Sequence, residues 1–142
     1  MVLMDKPREE VKQIGHGSLH VITSMEEKLR SEGRMISLDT NILWFKIAHI
    51  DENKDIIENK VVMFEGDSAP NIAEFLSGAI QDLLERTYID SVRMGNSEVM
   101  VVRLDGGGML IKNGLVSVEV AQEDVIELAD KLGYIGVIPH VK

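Results

Sequence analysis

The clearest periodic signal lies in the middle of the chain. Ile72, Phe75, Leu76, Ala79, Ile80, Leu83 and Leu84 recur at i, i+3, i+4 and i+7, with Glu74, Gln81, Asp82 and Glu85 between them. That stripe predicts an amphipathic helix over residues 70–86, one face against a sheet or another helix. Ser68 is positioned to cap it, and Pro70 falls in the first turn, where its missing N–H is harmless. Gly78 costs about 1 kcal/mol against alanine inside a helix, so it is expected to mark a close backbone contact. A second stripe, Val125, Leu128, Ala129 and Leu132, predicts a helix over 123–132 that Gly133 stops.

Elsewhere the pattern is that of strands. Residues 42–50 and 56–64 are rich in β-formers and flank the polar run Asp51-Glu52-Asn53-Lys54-Asp55, which predicts a hairpin. A short strand over 35–38 precedes the turn signal Asp39-Thr40-Asn41. After the long helix, strands are expected over 88–94, 99–104, 109–111 and 115–120. Their turns fall at Gly95-Asn96, Asp105-Gly106-Gly107-Gly108 and Asn113-Gly114. Residues 134–141 read as an edge strand, held to the periphery by Pro139.

Toward the N-terminus, Ser24-Met25-Glu26-Glu27 matches a capping box and Gly33 a helix stop, predicting a helix over 25–32. Residues 1–17 read as a peripheral extension, with a short helix over 7–11 broken by Gly15-His16-Gly17; residues 18–22 alternate weakly and read as extended. The whole, residues 1–142, is expected to form a single α+β domain, a mainly antiparallel sheet covered by two or three helices.

Composition narrows the function classes. The 142 residues are 44% hydrophobic and 27% charged, ordinary for one globular domain with its own core. A net charge of −9 and a pI near 4.9 repel phosphate backbones, so no nucleic-acid partner is expected. The basic groups Lys28, Arg30 and Arg34, and Arg86, Arg93 and Arg103, read as solvated surface. No cysteine is present, which excludes thiolate chemistry, disulfides and Cys-ligated zinc. The N-terminus lacks an apolar signal core and no apolar run approaches about 18 residues. The expectation is a cytoplasmic protein with no membrane partner.

Candidate chemistry is sparse. His16 and His20 have i, i+4 spacing, but the glycines around His16 argue against the helix a metal pair needs, so no metal is expected. Gly66-Asp67-Ser68 superficially resembles a serine-hydrolase block, yet no base and orienting acid accompany it. Asp105-Gly106-Gly107-Gly108 is followed by a strand, so it reads as a turn and not as a phosphate loop. Glu26-Glu27, Asp51-Glu52 and Glu123-Asp124 sit in turns or first helical turns, where carboxylates suit the dipole. No catalytic residue and no cofactor is assigned. Trp44 and Phe45, adjacent on one strand, must point to opposite faces; one enters the core and the other needs cover. Trp44, Phe45 and Lys46 are therefore the interface candidates, and eight methionines add adaptable apolar surface.

The element order resembles the Roadblock family (dynein light-chain type, with longin and profilin-like relatives) over residues 25–132. Phe45-Lys46-Ile47-Ala48-His49-Ile50-Asp51-Glu52-Asn53-Lys54-Asp55-Ile56-Ile57 is similar to that family's first hairpin. Ile89-Asp90-Ser91-Val92-Arg93-Met94 followed by residues 99–111 is similar to its later strands. The resemblance implies homodimers that act as regulators or scaffolds. The leading expectation is a non-catalytic homodimeric binding or regulatory module, with a protein partner besides its own second copy. The alternative is a small-ligand-binding protein or enzyme with a loop-built site near His49, Asp67, Arg93 and Asp105.

Overall fold

The computed structural model describes residues 6–33, 35–85, 90–94 and 96–136. Among them, eight strands form two antiparallel sheets of four, each in sequence order. The first holds β1 (Lys6–Ile14), β2 (Leu19–Glu32), β3 (Met35–Ile50) and β4 (Ile56–Glu65). Helix α1 (Ala69–Glu85) leads to the second sheet, β5 (Asp90–Met94), β6 (Ser97–Arg103), β7 (Met109–Asn113) and β8 (Val116–Val120). A 3-10 turn, Gln122–Asp124, enters helix α2 (Val125–Gly136). The α+β class and the antiparallel pairing are those expected from the sequence.

The apolar stripe of α1 works as its periodicity requires. Ile72, Leu76, Ile80 and Leu83 are fully buried, and the Ser68 carbonyl accepts the Ile72 N–H at 2.9 Å, which starts the helix. Helix α2 packs directly on α1. The Ser77 hydroxyl donates to the Ala129 carbonyl at 2.8 Å, and a Cβ built on Gly136 would stand 2.8 Å from the Glu74 side chain. The close approach is therefore made by α2, at Gly133 and Gly136; Gly78, expected to mark it, faces open space. Gly133 does not stop α2, which runs on to Gly136, so residues 134–136 are helix and not the expected edge strand. The rest of that strand, and Gly95 and residues 86–89, lie outside the described residues.

One apolar cluster joins all the layers. It takes Val21, Phe45, Ile47 and Phe64 from the first sheet, Val101, Ile111 and Val120 from the second, and Leu76 and Leu128 from the helices. Phe45 and Phe64 are cross-strand partners whose rings stack at 5.0 Å between centroids.

The first sheet corrects the N-terminal reading. Residues 6–14, expected to be peripheral and partly helical, form β1 along β2, from Lys6 opposite Glu27 to Ile14 opposite Leu19. Residues 25–32, expected to be a helix, are the second half of β2. The capping-box pair serves the sheet instead: Ser24 sits opposite Glu9 and Trp44, and Glu27 takes Arg8 of β1 in an ion pair at 2.5 Å. Non-local pairing outweighs a local helix signal.

Likewise the expected strand 35–38, turn 39–41 and strand 42–50 are one strand, β3. A register shift lies where Ser24 faces Trp44 but Met25 faces Ile42, leaving Leu43 as the extra residue of a β-bulge. The bulge moves the inward positions from Phe45 and Ile47 to Ile42, so the alternation changes phase within one strand. The Leu43 carbonyl accepts the Gly66 N–H at 3.0 Å, tying the bulge to the end of β4.

Replacing Phe64 by alanine removes the stacked partner of Phe45 from a fully buried site. The expected cost is about 3–5 kcal/mol, read as a fall in the urea midpoint at unchanged slope.

Candidate functional site

Three surface features come out of this fold. The first is a ribbon. Among the described residues, β1 pairs with β2 as far as Glu27 and β4 with β3 as far as Trp44, whereas β2 and β3 remain paired from Lys28–Asp39 out to Glu32–Met35. On this two-stranded extension the residues that share the inward face of Met25 and Ile42 are Leu29, paired with Leu38, and Ser31, paired with Ile36. The core face of the sheet thus continues outward past the core. Leu29 is 42% exposed, Ile36 67% and Leu38 39%. Lys28 lies on the opposite face and meets Glu26 at 3.6 Å.

The second feature is the face of the first sheet turned away from α1 and α2. Val11, Ile22, Lys46 and Met63 form one row across β1 to β4, and Glu9, Ser24, Trp44 and Glu65 the next. Trp44 is half-buried, with the Lys46 ammonium 4.9 Å from its ring centroid, a cation–π contact. Val11 and Met63 are exposed beside them. Trp44 and Lys46 therefore stay at the surface. Phe45 points the other way and is wholly buried, so it belongs to the core and is no surface residue.

The third is the seam between the sheets. Edge strands β4 and β8 run alongside each other without a ladder between them, joined by side chains. His49 Nε2 lies 2.6 Å from the Glu119 carbonyl. At the other end, Asn113 donates through Nδ2 to the Met63 carbonyl at 2.9 Å and accepts the Glu98 N–H through Oδ1 at 3.2 Å. A cleft of about 420 Å³ opens around His49, Asn59, Lys60, Ser117 and Glu119.

The described loop-site residues do not share one cleft. His49 lines the seam cleft, while Asp67 lines a separate cleft of about 470 Å³ with Glu26, Asn41 and Ile42. The 10 residues of β4 separate the two, roughly 30 Å at a strand's rise. Asp105 is exposed in the β6–β7 turn, where the Leu104 N–H meets the Gly108 carbonyl at 2.8 Å and Gly107 takes φ +93. The Arg93 side chain lies outside the described residues. His49 and Asp67 therefore lie in different clefts, at opposite ends of β4.

Among the other sequence candidates, His16 is exposed in the β1–β2 turn and His20 is half-buried on β2. Among the described residues no group of three or more His, Asp or Glu side chains is placed to hold a metal, and no helix is long and apolar enough to cross a membrane. Arg103 is no loose surface charge: its guanidinium donates to the Leu83 carbonyl at 2.5 Å, in the last turn of α1 where carbonyls lack helical partners. Sequence reasoning missed the ribbon and the bridging role of Asn113, which read only as a turn residue. No protein-family model, curated protein or solved structure matches this chain.

Truncating Asn113 to alanine deletes its seam bond to the Met63 carbonyl and its bond to the Glu98 amide. The expected loss is about 1 kcal/mol, with faster hydrogen exchange at the Glu98 amide than at amides within α1.

Proposed function

We propose that this chain is a non-catalytic homodimeric binding or regulatory module. The observation that carries the reading is the placement of large apolar side chains on the surface. Leu29, Ile36 and Leu38 form a contiguous exposed stripe on the ribbon, and Met35 at its end is 75% exposed. Contiguous apolar surface rimmed by charge marks association surfaces more often than isolated exposed residues do. The face bearing Trp44, Lys46 and Met63 adds the residue types enriched at interfaces, an aromatic ring and a methionine. This second surface is the one offered to a partner protein.

The alternative, a loop-built ligand site, is the less supported reading, because His49 and Asp67 line different clefts. The seam cleft around His49 carries polar groups and remains the place where a small ligand would bind under that reading.

Size-exclusion chromatography with light scattering across a concentration series tests the dimer. The expected mass is twice the 15.8 kDa of the chain. A mass that stays at one chain throughout the series overturns the reading.

A further inference from the structure

We propose that Asn113 is a modification site of this protein. Deamidation of its side chain through the Gly114 backbone nitrogen unfastens the seam between the two sheets, and the closed seam holds the reaction back.

The sequence supplies the reactive pair. Among the asparagines of the chain, Asn113 alone precedes a glycine; Asn41, Asn53, Asn59, Asn71 and Asn96 precede Ile42, Lys54, Lys60, Ile72 and Ser97. Glycine has no Cβ, so its nitrogen is the least hindered and its backbone the freest to turn toward the preceding side chain. In the reaction the Gly114 nitrogen attacks Asn113 Cγ. A bond forms between them, the Cγ–Nδ2 bond breaks, and the amide nitrogen leaves as ammonia with the proton that Gly114 gives up. Water then opens the cyclic imide at either carbonyl, leaving aspartate or isoaspartate at position 113. No oxidant or cofactor enters the balance.

The structure holds both reactants. Asn113 Nδ2 donates to the Met63 carbonyl of β4 at 2.9 Å and to the Ser97 hydroxyl at 3.5 Å, while Oδ1 accepts the Glu98 N–H of β6 at 3.2 Å. The Gly114 N–H donates to the Glu98 carbonyl at 2.9 Å. The attacking nitrogen and the amide under attack are thus each bonded to another strand. For the two to meet, the Gly114 N–H must leave Glu98 and the Asn113 amide must leave Met63, a local opening of the seam. Both residues are half-buried, so water reaches the turn once it opens.

The product cannot remake the bond. A carboxylate carries no N–H to donate, so the Met63 carbonyl loses its partner and faces a negative oxygen. Among the described residues β4 and β8 have no ladder between them, so the seam depends on side-chain bonds of this kind. An isoaspartate also lengthens the main chain by one atom at the tight turn that joins β7 to β8. Asn113 further lines a groove of about 310 Å³ with Lys46, Met63 and Val116. The new charge therefore appears beside the surface offered to a partner protein, and the change runs one way.

The test starts from the unmodified full chain, incubated at mildly alkaline pH once folded and once in guanidinium, with intact mass and peptide mapping as readouts. Ammonia loss is expected at Asn113 ahead of the other asparagines, and at least about tenfold slower in the folded chain, since only the opened fraction reacts. In guanidinium, where folding plays no part, Gly114→Ala is expected to slow the loss about tenfold. Asn113→Asp reproduces the aspartate product. Amides of β4 and β8 are expected to exchange hydrogen about fivefold faster in this variant, with amides of α1 unchanged. Equal rates in the folded and denatured chain, loss located mainly at another asparagine, or exchange in β4 and β8 unmoved by Asn113→Asp would each overturn the proposal. A rise shared equally by α1 would mark a global loss of stability and overturn the seam role as well.

Discussion

A β-strand has two faces, and once two long strands pair, neither can turn over without the other. The β2–β3 pairing imposes that condition on this protein. It sets Leu19, Val21, Phe45 and Ile47 inward, where α1 and α2 cover them. It sets Ile22, Trp44 and Lys46 outward, away from the helices. The bulge at Leu43 shifts the phase of β3, and it keeps Ile42 aligned with Met25 so that the inward face continues past the end of β4. Without the bulge, Ile36 and Leu38 would share the face of Trp44. The ribbon's amphipathic character is therefore a direct product of one inserted residue.

The second sheet is attached by a different kind of force. No ladder joins β4 to β8, so the two sheets are held by a shared core and a few side-chain bonds. The helices add to the cohesion: α1 spans from β3 and β4 to β5 and β6. α2 fits onto α1 where Gly133 and Gly136 allow the backbones to meet. His49 and Asn113 then bridge the seam at its two ends. Each satisfies a main-chain carbonyl at a sheet edge, a position that would otherwise rely on water.

How much of this was legible in the sequence depended on how local each signal was. The α1 stripe, the 56–64 strand and the Asn113-Gly114 turn are encoded within a few residues, and each stands where it was expected. β2 was not legible, because Ser24-Met25-Glu26-Glu27 satisfies a helix cap as well as it satisfies a strand. Only the distant partner Arg8 distinguishes the two for Glu27. β3 looked like two elements because a bulge breaks alternation in the same way that a turn does. The opposite facing of Trp44 and Phe45 followed from strand geometry alone; which ring went inward required the position of Phe64. The ribbon was hidden for the same reason as β2, since its exposed stripe exists only through the pairing of Leu29 with Leu38.

The position of Trp44 gives the molecule an optical property of its own. It is the sole tryptophan in the chain, set at the sheet surface where the ribbon begins, with an ammonium group held over its ring. Indole emission responds to nearby charge and to solvent. Displacement of Lys46 by anything that docks on this face, or a change in how β3 twists beyond the bulge, therefore alters the signal of one known residue. The intact protein carries an intrinsic fluorophore at the junction of its two exposed apolar surfaces and needs no label to report on either.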